Sequence, residues 1–173
     1  MAEDIVIGLA TLEDLDAILA LEHQCFPTPW SRQAFVQELG REDDVAYYVA
    51  AREGDRIVGY AGMWVMPHEA HLCTIAVAPT HRRRGLGERI LLHMIARAVR
   101  RGSARIVLEY RVSNLAAHSM YAKYGFCILG VRKGYYRDGL SREDAIVASL
   151  DDIQSPEFAV ELEKWQQDLE TPW

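Results

Sequence analysis

The sequence predicts an α/β fold of the α+β kind: a mixed central sheet with helices on both faces, in the order β-α-α-β-β-β-α-β-α-β-β. Three observations point to it. Short β-patterned segments follow one another between residues 45 and 77, a strand-helix-strand unit spans 69 to 110, and a closing pair of strands follows residue 126. With 173 residues, half of them apolar, the chain can bury one core but is short for two. Residues 1–150 read as one domain and 151–173 as a tail.

Residues 5 to 9 (IVIGL) form a first strand. Thr11 as N-cap, with Asp14 at the third helical position, then opens a helix that carries Leu12, Leu15, Ile18, Leu19 and Leu21 and stops at Phe26-Pro27. Ser31 caps a second helix with Phe35, Val36 and Leu39 on its apolar side, and Gly40 ends it. VAYYVAA (45 to 51) and RIVGYAGMWVM (56 to 66) join through Glu53-Gly54-Asp55 as an antiparallel hairpin. EAHLCTIAV (69 to 77) is apolar enough at its end to be a central strand. After Pro79-Thr80, the residues Leu86, Ile90, Leu91, Met94, Ile95 and Ala98 lie on one helical stripe that Gly102 terminates. ARIVLEY (104 to 110) returns as a strand, and a right-handed crossover makes it parallel to 69–77.

Ser113-Asn114 open a helix that runs to Tyr124 and stops at Gly125. FCILGVRKGYY (126 to 136) and AIVASL (145 to 150) are the last strands, with a turn at Asp138-Gly139. In the tail, Ser155 and Pro156 start an amphipathic helix with Phe158, Leu162, Trp165 and Leu169 on one face, suited to packing on the domain.

A formal charge of −6 argues against bulk attraction to nucleic acid or to an anionic membrane. The N-terminus does not read as a secretory leader and no run is long enough to span a bilayer, so a cytoplasmic protein is expected. Cys25, Cys73 and Cys127 are odd in number and far apart in apolar surroundings, which reads as free thiols. His68, His71 and His81 lack the spacing of a zinc site, so no metal is expected.

The basic cluster Arg82, Arg83 and Arg84 is therefore a local feature. It precedes Gly85-Leu86-Gly87 at the start of a helix. The stretch lacks the Lys-Ser or Lys-Thr of a P-loop. It also has Ile90 where a dinucleotide-binding turn needs its third small residue, although Glu109 stands at about the distance of that fold's ribose-binding acid. DNA readers place arginines along a helix face rather than before its first turn. A solvated basic loop is one remaining reading; the other is R-x-x-G-x-G, with Arg82, Gly85 and Gly87 in those places. Its glycines let the backbone approach a pyrophosphate, and the first-turn N–H groups and helix dipole favour the anion.

That turn, together with the stretches TIAVAPTHRRRGLGERIL, LEYRVSNLAAHSMYAKYGF and GYYRDGLSREDAI, resembles the bacterial ribosomal-protein alanine N-acetyltransferases of the GNAT superfamily and their archaeal and eukaryotic N-terminal acetyltransferase relatives. FPTPWS at 26 to 31 is similar to the bacterial branch in particular, and the similarity runs through about residues 4 to 150. The His-Glu-Ala-His run at 68 to 71 and the tail after Asp151 depart from the pattern.

The resemblance implies a GNAT fold and transfer of acetyl from acetyl-CoA to a protein's N-terminal α-amine, with the alanine of small-subunit ribosomal protein eighteen as the expected acceptor. By the same resemblance Glu109 would be the general base and Tyr121 the general acid. Ile75, Ala76 and Val77 would bond the pantetheine arm, Arg82 with Arg83, Arg84, Gly85, Leu86, Gly87 and Glu88 would hold the pyrophosphate, and Asn114 and Tyr121 would contact the cofactor. Trp30, Glu69, Tyr135 and Tyr136 would meet the peptide. A monomer or weak homodimer is expected. Broader N-terminal or lysine substrates, and a non-catalytic acetyl-CoA-binding module, are the alternatives.

The chemistry suits these residue types. Reaching the neutral form at pH 7 costs about 1 to 1.4 kcal/mol for an α-amine and about 4.6 kcal/mol for a lysine, so a modest base serves the first better. Glu109 points to the face opposite Leu108 and Tyr110, and a pairing with an arginine such as Arg111 is its alternative role. Tyr121 follows Asn114 by nearly two helical turns, so both project from one face. A phenol giving its proton to a thiolate goes uphill by about 2 kcal/mol, which leaves hydrogen-bond stabilisation as the larger part of its role. The oxyanion would be met by N–H groups of residues 75–77 where a bulge frees them.

Overall fold

A computed structural model describes residues 4–170; residues 1–3 and 171–173, the ends of the two units predicted above, lie outside it. Within the described residues the alternation of apolar residues produces seven strands: β1 (Ile5–Leu9), β2 (Ala46–Glu53), β3 (Arg56–Val65), β4 (Ala70–Val77), β5 (Ile106–Arg111), β6 (Cys127–Asp138) and β7 (Ser141–Leu150). They form one sheet in the order β1-β2-β3-β4-β5-β7-β6. Among the described residues only β4 and β5 pair in parallel, as the crossover between them requires.

The helices are α1 (Leu15–Cys25), α2 (Arg32–Leu39), α3 (Leu86–Arg100), α4 (Leu115–Lys123) and α5 (Pro156–Glu170). Neighbouring residues of β3 show that they cover both faces. Tyr60 meets the α1 carboxylate Glu22 and the α2 ring of Phe35, whereas a Cβ on Gly59 would sit 2.8 Å from Ile90 Cδ1 of α3.

Thr11 and Asp14 form the expected capping box, Thr11 N–H donating to Asp14 Oδ2 at 2.8 Å, but it opens a 3-10 turn over Leu12–Asp14 and the α-helix begins only at Leu15. Ser31 Oγ caps α2 by accepting from Ala34 N–H at 3.1 Å. The closing hairpin is longer than the predicted 126–136 and 145–150. Its tight turn at Gly139, with φ of 62°, lets the ladder run out to Asp138 opposite Ser141.

The tail packs along α3. Leu162 and Ile153 are buried, Trp165 lies edge-on to Tyr124 at 5.2 Å, and Gln154 Nε2 donates to the Val99 and Ser103 carbonyls at the far end of α3. Trp165→Ala is expected to lower stability by about 2–3 kcal/mol, below the range for a fully buried tryptophan because this ring is only half-buried. Urea unfolding of the two proteins measures the difference.

Candidate active site

The sheet opens at one place. β4 pairs with β5 only from Ala70 opposite Ile106 to Leu72 opposite Leu108. Beyond that point β4 continues on β3 alone, while Glu109, Tyr110 and Arg111 pair with β7. A bulge starts the divergence: Gly62 faces Thr74 and Met63 faces Leu72, which leaves Cys73 as the extra residue. Ala78 N–H donates to Val58 O at 2.9 Å, so the alternation turns the backbone groups of residues 76 and 78 toward β3 and those of Ile75 and Val77 into the cleft. This bulge could not be read from the sequence, because it depends on the register of β4 against β3.

Gly85 has φ of 74° and is the N-cap of α3, with no side chain capping the helix. The N–H groups of Leu86, Gly87 and Glu88 therefore begin the helix without a cap, and an ideal Cβ on Gly87 would find its nearest atoms at 3.6 Å (Met120 Sδ) and 3.7 Å (Val77 Cγ2). Arg83 and Arg84 are exposed beside the turn, and Arg83 itself takes a left-handed φ of 62°.

Two residues expected on the anion have other partners. The Arg82 guanidinium donates from Nε to Val77 O at 3.0 Å and from a terminal nitrogen to Cys25 Sγ at 3.4 Å, bracing the end of β4. Glu88 Oε1 accepts from Lys123 Nζ at 2.9 Å, so its carboxylate is already engaged. Asn114 caps α4, its Oδ1 accepting from Ala117 N–H at 3.1 Å.

Glu109 stands just past the last β4–β5 pair, its side chain 8% exposed. Strand alternation puts it on the α1/α2 face, with His71 and Trp64, while Tyr110 lies on the other face against Tyr121 of α4 at 5.3 Å. Glu109 and Tyr121 thus approach the cleft from opposite faces of the sheet. The sequence reading paired Glu109 with Arg111 as the alternative; in the fold Arg111 instead bonds Asp138 of β6 and Glu143 of β7, since the closing hairpin sets those acids beside it. The partners of Glu109 are His71, with Nε2 2.6 Å from Oε2, and the exposed Arg132, 3.4 Å from Oε1. The His71 hydrogen bond holds the Glu109 carboxyl below the usual carboxylate range, against burial, which acts the other way. Tyr121 is buried, and that burial pushes its phenol far up, with Tyr136 and Tyr110 adding to the shift.

One side of the cleft is built from two distant segments. Register shifts in β6 between Arg132 and Tyr136, around Gly134 at φ of 58°, aim Tyr136 inward, where burial raises its phenol to about 12, with Tyr135 and Glu109 adding to the shift. The Arg111 guanidinium lies 4.4 Å from the Tyr136 ring centre, and Tyr135 meets that ring edge-on at 5.1 Å. From the other side, Thr28 Oγ1 donates to Arg137 O at 3.0 Å and contacts Asp138. The buried Glu22 accepts Trp30 N–H at 2.8 Å and the Tyr60 hydroxyl, fixing the loop that carries Trp30 against Phe35 at 5.4 Å. Glu69 is engaged by Arg105 at 2.6 Å. Sequence reasoning did not single out Arg132 or Glu22 for the site, weighed Arg111 only as a partner of Glu109, and met His71 only in the divergent run at 68 to 71 and in the rejected zinc site. A histidine on the strand parallel to that of Glu109 was the available signal.

A search against family models matches residues 15–126 to the acetyltransferase (GNAT) family. The [ribosomal protein bS18]-alanine N-acetyltransferase of Escherichia coli K12 is 35% identical over 137 residues, which cover 79% of this chain and 90% of that protein. The N-alpha-acetyltransferase RimI of Mycobacterium tuberculosis is 38% identical over 141 residues, 78% of this chain and 86% of the relative. The crystal structure of the Escherichia coli ribosomal-protein-S18-alanine N-acetyltransferase superposes with a TM-score of 0.79 at 32% identity, covering 86% of this chain and 94% of that one.

Proposed function

The chain belongs to the GNAT acetyltransferase family, and from that premise we propose that it transfers acetyl from acetyl-CoA to the N-terminal α-amine of ribosomal protein bS18, whose first residue is alanine. The observation that carries the reading is the parted β4–β5 pair, which sets the β4 edge at Ile75 and Val77, with the Val77 carbonyl held by Arg82, opposite an enclosed carboxylate, Glu109. The donor substrate supplies an activated acetyl thioester. Its pyrophosphate matches the uncapped start of α3 at Gly85 to Glu88, with Arg83 and Arg84 in reach, and its pantetheine arm matches the edge of β4. N–H groups of that edge would stabilise charge developing on the acetyl oxygen.

Glu109 takes a proton from the acceptor ammonium, directly or through one water. Because its carboxyl titrates below the usual range, it is ionised throughout an assay near neutrality and can accept that proton, so kcat/KM is expected to hold level below the amine's own titration at about pH 7 to 8 and to fall only as the carboxyl itself is protonated. Tyr121, with its phenol raised by burial, keeps its proton and serves the departing thiolate mainly as a hydrogen-bond donor. Trp30, Tyr135 and Tyr136 frame the acceptor chain.

The test is an acetyl-transfer assay on peptides carrying the bS18 N-terminus, the same peptide N-blocked, and a blocked peptide with an internal lysine. Transfer is expected only to the free α-amine. Activity confined to lysine, or none with acetyl-CoA bound, would overturn the reading.

A further inference from the structure

The turn before α3 does not hold itself in place. Gly85 and Arg83 both take left-handed φ values, 74° and 62°, the three arginines before Gly85 are exposed, and no side chain caps the helix. Glycine gives up more conformational freedom on ordering than any other residue, so N–H groups that are to converge on one anion need support from outside the turn. Two ties hold the first turn of α3: Lys123 of α4 reaches Glu88 at 2.9 Å, and Arg89 donates to Ile5 O of β1 at 3.0 Å. Neither reaches Gly85. Among the described residues, and apart from its own chain neighbours, the one atom within 4 Å of a Cβ placed on Gly85 is Leu169 Cδ2, at 3.9 Å, from the last turn of α5.

The length of α5 brings Leu169 there. Gln154 is clamped to Val99 and Ser103 at the far end of α3, and α5 then runs back over fifteen residues, about 22 Å, along a helix that is itself fifteen residues long. Buried Ile153 and Leu162, and Trp165 against Tyr124, anchor it before its last turn. Leu169 is half-buried, set between Gly85 and a groove lined by Ile7, Arg89, Leu92, His93 and Gln166, so it lies at the edge of the core. The tail that carries it departs from the family pattern, which makes the contact a feature of this chain.

Resting on the proposed use of acetyl-CoA, we propose that Leu169 is a positioning residue for the donor: α5 holds it against Gly85 and keeps the turn in the one conformation whose N–H groups at Leu86, Gly87 and Glu88 receive the pyrophosphate. It acts through the turn and touches neither the thioester nor the acceptor. Without it the turn spends part of its time in other conformations, and donor affinity falls in proportion to the fraction that is competent. Once the donor is bound, its thioester stands where it stood before. The effect therefore falls on Kd and KM and spares kcat.

The experiment measures acetyl-CoA binding by calorimetry for the wild type, Leu169→Ala and Leu169→Met, kcat at saturating donor with the bS18 N-terminal peptide, and amide hydrogen exchange over residues 85–88 of the unliganded proteins. Leu169→Ala is expected to bind acetyl-CoA about 3- to 10-fold more weakly, with kcat within twofold of the wild type and faster exchange over 85–88. Leu169→Met refills the contact with a side chain of similar volume and should stay within about twofold in affinity. A residue that only packs would lower the melting temperature and leave Kd and exchange where they were. Wild-type affinity and exchange in Leu169→Ala, a loss of kcat alone, or a loss of affinity in Leu169→Met as large as in Leu169→Ala would overturn the role of Leu169. Binding and exchange are read without an acceptor, so a bS18 peptide that is not acetylated would overturn the proposed acceptor and leave this role standing, whereas a wild type that does not bind acetyl-CoA would overturn both.

Discussion

Glu109→Gln is expected to lower kcat at pH 7 by about 10²- to 10⁴-fold, the span that a positioned general base contributes, while acetyl-CoA affinity stays within about twofold. The side chain is nearly enclosed and glutamine has its shape, so the cleft keeps its form, and an amide oxygen can still meet His71. What disappears is the proton acceptor. The deficit should shrink as pH rises toward 9, because the fraction of neutral amine then rises without help from the enzyme. Stability moves in a defined direction too. A carboxyl held below its unfolded range contributes stability above that range and loses it as pH falls through the folded value, so the variant should be less sensitive to acid than the wild type. Steady-state rates against pH, with thermal melts between pH 3 and 7, check both. A variant within threefold of the wild type at pH 7 would remove Glu109 from the chemistry.

Gly85→Val is expected to raise the acetyl-CoA KM by tenfold or more with a smaller change in kcat. The cause is conformation rather than crowding: the nearest atom to an added Cβ is Leu169 Cδ2 at 3.9 Å, ordinary contact, but φ is 74°. Holding an L-residue there costs about 1–2 kcal/mol, and a β-branched residue more, so the turn relaxes and the N–H groups of Leu86 to Glu88 no longer converge on one anion. Gly85→Asn, which tolerates the left-handed region, should lose less. Calorimetry with acetyl-CoA and with CoA separates this from an effect on the acceptor side, and equal affinity in Gly85→Val and the wild type would mean that the turn does not hold the donor.

Elements and caps were legible in the sequence because each is written within a few residues. The Thr11–Asp14 box, the Ser31 cap and the stripe from Leu86 to Ala98 are local patterns that burial on one face enforces, and the order of elements along the chain followed from such patterns. The glycine spacing marked where a helix would begin without a side-chain cap, and α3 begins there. The resemblance to a known family added the roles expected of Glu109 and Tyr121, which no local pattern could have supplied.

The contacts that make a site of these residues join positions far apart in the chain, and only the tertiary structure decided them. One unpaired residue, Cys73, ends the β4–β5 ladder after three pairs and opens the cleft. The register of two strands with a fifteen-residue helix, α3, between them puts His71 on Glu109. The order β5-β7-β6 gives Arg111 to Asp138 and Glu143 and brings Arg132 to Glu109. Periodicity fixes which face a side chain takes, but the register of distant strands, set by the packing of the whole sheet, fixes what it meets there.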